Sequence, residues 1–182
     1  MSRVSQTEAR ANRAAAVRAA SKLFRENGVQ NVSVADVMRS VGLTQGGFYK
    51  QFASKSALVD EAVGAGFAEM MRYLSDLRED SDDQEAAWLA LVGSYLSTQH
   101  RDDPGEGCPA AGFAGDLAHD GAARETYAAG LRDMAAWIAP GDAGLSALAT
   151  LVGGIILARA TAGSAVSEEI LRAVRATASE LA

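Results

Sequence analysis

Across 182 residues this chain has one cysteine, Cys108, two histidines, His100 and His119, and three prolines. A lone thiol forms no internal disulfide, which excludes a disulfide-stapled secreted scaffold. One cysteine and two histidines stand at no zinc-site spacing, and sequence names no third partner for a Cys108/His119 nucleophile pair, so neither a metalloenzyme nor a thiol hydrolase is expected. So few prolines leave long helices uninterrupted. The first thirty residues carry charges throughout and lack the apolar centre of a signal peptide. The longest uncharged run, between Asp142 and Arg159, contains three glycines and reads as too short and too weakly apolar to cross a bilayer. A cytoplasmic protein with no membrane partner and no cofactor is the expectation.

Apolar residues make up 48% of the chain and charged residues 22%, a balance that supports a core without staples and suits one or two domains. The net charge of −6 hides a segregation of sign. Residues 1–55 hold nine Arg and Lys (Arg3, Arg10, Arg13, Arg18, Lys22, Arg25, Arg39, Lys50, Lys55) against Glu8, Glu26 and Asp36, a net +6, and the remaining residues sum to −12. A basic head on an acidic body is drawn to a polyanion by one end only, which points to nucleic acid.

Helical periodicity runs the length of the chain, with no strand pattern, repeat or low-complexity segment. Ser5-Gln6-Thr7-Glu8 has capping-box spacing, and Ala16, Ala20, Leu23 and Phe24 follow on one face until Asn27-Gly28. Ser33 caps a short helix with Val34, Val37, Met38 and Val41 inward; Gly42 makes a turn, and Thr44 caps a second short helix through Tyr49. Ser54 opens a long fourth helix reaching the acidic break at Glu79 to Asp83. The periodicity then predicts helices over about 84–98, 109–118, 122–139, 142–161 and 167–181, with a polar loop from His100 to Cys108. The fold expected is all-α, with about nine helices: a three-helix DNA-binding domain over residues 1–54 and a helical domain over 55–182.

The stretch VSVADVMRSVGLTQGGFYKQFASKSALVDEAV, residues 32–63, resembles the DNA-binding signature of the TetR family, in the order capped helix, Gly42 turn, Gly-Gly, Phe-Tyr, Phe52 and Ser54-Lys55. The residues support the same reading by themselves. A helix entering a groove about 12 Å wide needs slender polar residues near its N-terminus, which Thr44, Gln45, Gly46 and Gly47 supply. Gln45 suits an adenine edge and Thr44 a base or phosphate. By resemblance, Phe48 and Phe52 pack the head, Tyr49 reaches a phosphate, Lys50 and Lys55 add positive charge beside it, and Ser33 and Arg39 are second-rank phosphate contacts. Gln51 stands where the family often has histidine.

In the body, the helix over 142–161 is apolar nearly all round and is therefore expected to meet a partner copy, with Leu148, Leu151, Val152 and Ile155 joined by Ile170 and Val174 of the last helix in a four-helix interface. Gly153 and Gly154 would permit close packing, while Gly64 and Gly66 would soften helix four. The resemblance implies an effector pocket among the middle helices, for which Phe67, Met71, Trp88, Tyr95, Cys108, Phe113, Tyr127 and Met134 are the candidates. It implies a homodimeric regulator, a repressor on a palindromic double-stranded operator released by a small molecule. Two alternatives stay open: a redox or electrophile sensor acting through Cys108 at a helix N-terminus, and a helical adaptor that does not touch DNA.

Overall fold

A computed structural model describes residues 6–119 and 121–181. Ten helices and no strand lie among them: α1 (Gln6–Asn27), α2 (Val34–Ser40), α3 (Gln45–Phe48), α4 (Lys55–Glu79), α5 (Gln84–Tyr95), α6 (Thr98–Asp102), α7 (Pro109–His119), α8 (Arg124–Ile138), α9 (Asp142–Ala160) and α10 (Ala165–Ser179). Ser5, which would begin the first capping box, lies outside the described residues. Gly28 stops α1 at φ +82°, and Gly42 makes the α2–α3 turn at φ +71°, a left-handed conformation that glycine adopts without a side-chain clash. Ser33 and Asp36 cap α2 reciprocally. Ser54 caps α4 through Ala57 N at 3.0 Å, and Asp83 caps α5 through Ala86 N at 2.8 Å.

α4 joins the two ends of the molecule, at ~1.5 Å per residue a rod of about 37 Å. α1 packs on it from the head, and α5, α7 and α8 pack on it from the body. The apolar core runs without a break from Ala16 in α1 through Phe67 and Trp88 to Ala178 in α10. Gly66 is where α4 comes closest to α1 and α7: a Cβ there would stand 2.9 Å from Ser21 Oγ and 3.2 Å from Pro109 Cβ. The glycine expected to soften the helix instead lets three helices meet.

The tenth helix, α6, occupies the start of the stretch expected to be a loop from His100 to Cys108. Ser97 caps it through His100 N at 3.1 Å. Arg159 of α9 donates to the carbonyls of His100 and Arg101 at 2.8 and 3.2 Å, and Arg101 reaches Ser167 Oγ at 3.0 Å and Glu168 at 2.7 Å. Partners 58 to 67 residues away hold this turn, so the local polarity of the sequence misleads.

α9 corrects two expectations. Over an 18-residue window of its 19 residues the mean hydropathy is 1.7, enough by length and composition to cross a membrane, which the sequence reading denied. In the fold it packs against α7, α8 and α10 instead. Leu148, Leu151 and Ile155, expected to meet a partner, are buried in the chain's own core because α10 and α8 take that side of the helix. The exposed apolar side lies around the helix, with Leu145 49% and Leu157 57% exposed and Val152 and Ile156 half-buried between them. Gly154 faces inward against Val174, where a Cβ would come 2.8 Å from Cγ1, whereas Gly153 faces open space.

Gly130 underlies the Phe67 ring, and a methyl there would overlap it, whereas one at Gly115 in α7 meets nothing within 4 Å. Gly130→Ala should therefore lower unfolding free energy by ~1–3 kcal/mol through overpacking. Gly115→Ala should raise it by up to ~1 kcal/mol through helix propensity, both read by urea denaturation.

His100 predicts a pH dependence. Its Nδ1 sits 2.6 Å from Tyr95 O and so carries the proton, leaving Nε2 to accept from Cys108 N at 3.0 Å. Burial above all, with Arg159 nearby, holds the ring below the ordinary histidine value of 6.5. The unfolded chain takes a proton near that value while the folded ring resists, so stability from this group is complete above about pH 6.5 and drains as pH falls through the folded value. His100→Ala should flatten the slope of unfolding free energy between pH 6.5 and 5 and cost about 1–3 kcal/mol at pH 7.5 by orphaning the Cys108 amide.

Candidate functional site

The α2–turn–α3 unit stands on a small aromatic base. Phe48 is wholly buried, stacks on Phe52 with ring centroids 5.1 Å apart, and meets Tyr49 edge-on at 5.1 Å. This fixes α3 from beneath and turns Tyr49 outward, 69% exposed. Thr44, Gln45, Gly46 and Lys50 are also exposed and Gly47 is half-buried. Thr44 holds the N-cap position of α3 but makes no side-chain capping bond; its carbonyl accepts from Gly47 N at 3.0 Å. Its hydroxyl is thus not consumed by the helix. A Cβ at Gly46 would meet nothing within 4 Å, and one at Gly47 only the ends of Met38 and Thr44 at 3.7 and 3.8 Å. Packing inside the chain does not require glycine at Gly46.

Several expected phosphate contacts are otherwise engaged. The Ser33 hydroxyl lies 2.5 Å from Asp36 Oδ2, and its amide donates to the same oxygen at 3.0 Å. Those bonds, with Arg39 at 3.0 Å, hold the Asp36 carboxyl below its ordinary range, so a carboxylate and not a free donor fronts α2. Lys55 turns inward: Nζ donates to Val29 O at 2.6 Å, 6.0 Å from the Phe24 ring centroid. Asp116 of α7 accepts from Val29 N at 3.0 Å, so both backbone groups of Val29 are held from the body. Arg13, counted in the basic head, forks onto Glu61, donates to Gln51 O at 3.3 Å and covers Phe52 at 4.7 Å. Lys22 pairs with Glu106, and Arg25 is buried. Among the described cations of the head, Arg10, Arg18 and Lys50 are exposed and form no ion pair. The electrostatic face is narrower than the net +6 of the head suggests.

In the body a cavity of about 510 Å³ lies between the end of α1, the middle of α4, α5 and the 99–107 segment. Of the eight residues expected to line a pocket, Tyr95 alone does so. Phe67, Trp88, Cys108, Phe113 and Met134 are buried core. Trp88 Nε1 is spent on Ala178 O at 3.0 Å, the Tyr127 hydroxyl on Ala110 O at 2.6 Å, and Met71 packs against the core's edge. Bulk and periodicity could not separate core aromatics from cavity walls. The actual lining is more polar, with Arg25, Glu69, Met70, Tyr73, Leu91 and His100 among it. Arg25 was missed because its charge reads as surface on an otherwise basic helix.

Cys108 is wholly buried. Burial pushes its thiol above the ordinary value, outweighing the Tyr95 hydroxyl and the Ala111 and Ala110 amides that pull it down. The reactivity expected from its place at the start of α7 is cancelled by the loss of solvent. The side chain of His119, its suggested partner, lies outside the described residues.

Residues 16–62 match the family model of the bacterial regulatory proteins, tetR family. The match lies within α1 to α4 and takes in the α2–turn–α3 unit. The whole chain takes the TetR-family fold: it is similar to a TetR-family transcriptional regulator from Agrobacterium tumefaciens (20% identity, 93% of this chain and 98% of that one, TM-score 0.75). It is likewise similar to a TetR transcriptional regulator from Chloroflexus aurantiacus (17%, 96% and 96%, 0.76). A third likeness is to reduced NemR of E. coli (16%, 90% and 95%, 0.74). No curated protein matches the chain.

The open space at Gly46 allows the exposed side of α3 to be altered without disturbing the packing beneath it. Gly46→Ala should leave the thermal unfolding midpoint unchanged or raised, since alanine is the better helix former by ~1 kcal/mol. The same variant should weaken duplex binding in a mobility-shift titration, because its methyl stands on the exposed side of α3. Undiminished affinity would show that α3 does not approach DNA closely.

Proposed function

We propose that this protein is a cytoplasmic, homodimeric TetR-type repressor, with residues 1–54 binding a palindromic double-stranded operator and residues 55–182 dimerising and holding a small-molecule effector that releases it. The observation carrying this reading is α3, propped by Phe48 and offering Thr44, Gln45, Gly46, Tyr49 and Lys50 to solvent on a helix-turn-helix frame. Gln45 reads a base edge; Tyr49 and Lys50 meet phosphates. Lys55 contributes by fixing the Val29 segment, with its charge added to the field. An adaptor role has no comparable observation behind it.

Two copies pair through the exposed sides of α9 and α10. Leu145, Ala149, Val152, Ile156 and Leu157 recur on one face of α9, and Val166, Ile170, Ala173 and Val174 on one face of α10. Ile170 and Val174 are half-buried already and Val166 is 50% exposed, as expected of residues that a partner completes. A four-helix contact of this kind spaces two heads for half-sites about 34–36 Å apart or a multiple of that.

Mobility shift with duplex fragments from around the gene tests the assignment. Affinity should fall with salt, and Lys50→Ala should make the log–log slope shallower by about 0.9 per head at every sequence, while Gln45→Ala alters sequence preference. Leu157→Glu should yield a folded monomer by analytical ultracentrifugation with specific binding lost; a dimer that persists would refute the α9 face.

A further inference from the structure

The chemistry of the 510 Å³ cavity narrows what it accepts. Its size suits a small organic molecule. Four ionisable carboxylate or guanidinium side chains line it: Arg25, Glu69, Asp103 and Glu106. The three carboxylates are on exposed residues, hydrated, and Glu106 is already paired with Lys22. Arg25 differs from them, its side chain only 4% exposed.

A buried guanidinium is expensive unless its donors and charge are matched. Arg25 has a single hydrogen bond, from Nη1 to Gly107 O at 2.8 Å, and that acceptor is uncharged. Its Nε is buried with no partner. The nearest carboxylate, Glu69, stands 3.9 Å from Nη2, beyond hydrogen-bond reach. The Arg159 guanidinium adds like charge from the α9 side. The one desolvated charge of the cavity is therefore a cation whose ion pair with the exposed Glu69 is too long for a hydrogen bond, and a guanidinium fork matches a carboxylate in two parallel bonds.

We propose that the cavity binds an amphipathic organic carboxylate, its acid group paired with Arg25 and its apolar portion against Met70, Tyr73 and Leu91. This rests on the reading of the cavity as the effector site. It also supplies a coupling route, since Arg25 belongs to α1 of the head and holds Gly107 of the body. A carboxylate competing for the guanidinium loosens that bond where α1 meets the 103–107 segment.

The test uses full-length dimer and isothermal titration with a panel of straight-chain C6 to C10 and arylalkyl carboxylates, each beside its amide and its amine at fixed ionic strength. The expected result is that at least one acid binds on the order of 10- to 100-fold more tightly than its amide, with the amine weakest. Glu69→Gln, at an exposed position and so safe for folding, should tighten the acid several-fold and leave the amide unchanged. Arg25→Gln should make acid and amide alike. Amide equal to acid, amine tighter than acid, or no binding across the panel overturns the proposal. Acid preference with undisturbed operator binding upholds the carboxylate site and instead refutes the effector reading; equal binding of acid and amide, each releasing DNA, does the reverse.

Discussion

Head and body meet along α1, and the meeting is governed by how closely α1, α4 and α7 approach. Gly66 lets α4 touch α1 and Pro109, and Gly112 of α7 lies under the aliphatic part of Arg25, where a Cβ would stand 2.6 Å from its Cγ. With that approach in place, a guanidinium at the end of the head's first helix reaches a carbonyl of the body, and Val29 is gripped by Asp116 and Lys55. Without it, the core would split where the sequence suggests a boundary. The charged contacts are arranged around an apolar seam and do not create it.

This arrangement gives the two halves a shared mechanical fate. A helix-turn-helix head on a flexible linker would be indifferent to its body. Here the α1–α2 link is hydrogen-bonded on one side by a carboxylate of α7 and on the other by an ammonium of α4, so displacement of either helix is felt at α2. Such coupling needs only ~1–3 kcal/mol of difference between two arrangements to change affinity 5- to 150-fold. The cavity sits beside this seam, and Arg25 belongs to both.

The head was legible in the sequence because its signals are local: Ser33 with Asp36, Gly42 at the turn, and Phe48 and Phe52 bracketing Tyr49. The helical body was legible in outline, since periodicity and breaks such as the acidic stretch from Glu79 to Asp83 set boundaries to within a few residues. What escaped was long-range pairing. α6 is held by Arg159 and Ser167, which no local pattern announces. The apolar wheel of α9 shows that the helix is covered, but not which side its own chain covers, so Leu148, Leu151 and Ile155 were assigned outward when α8 and α10 bury them. The cavity was missed for a related reason: aromatic bulk marks core and wall alike, and the residue that distinguishes the cavity is an arginine whose burial is set by α7 and the loop before it.

The brevity of α3 carries a consequence of its own. A helix of four residues, two of them glycine, presents few side chains with any power to discriminate among bases. On the proposed reading, each copy spells only a short word, common by chance in any genome. Information must then come from geometry: two words held at one separation and in one orientation are as rare as the square of either alone. Selectivity would reside in the rigidity of the pairing across α9 and α10 as much as in the letters α3 can read.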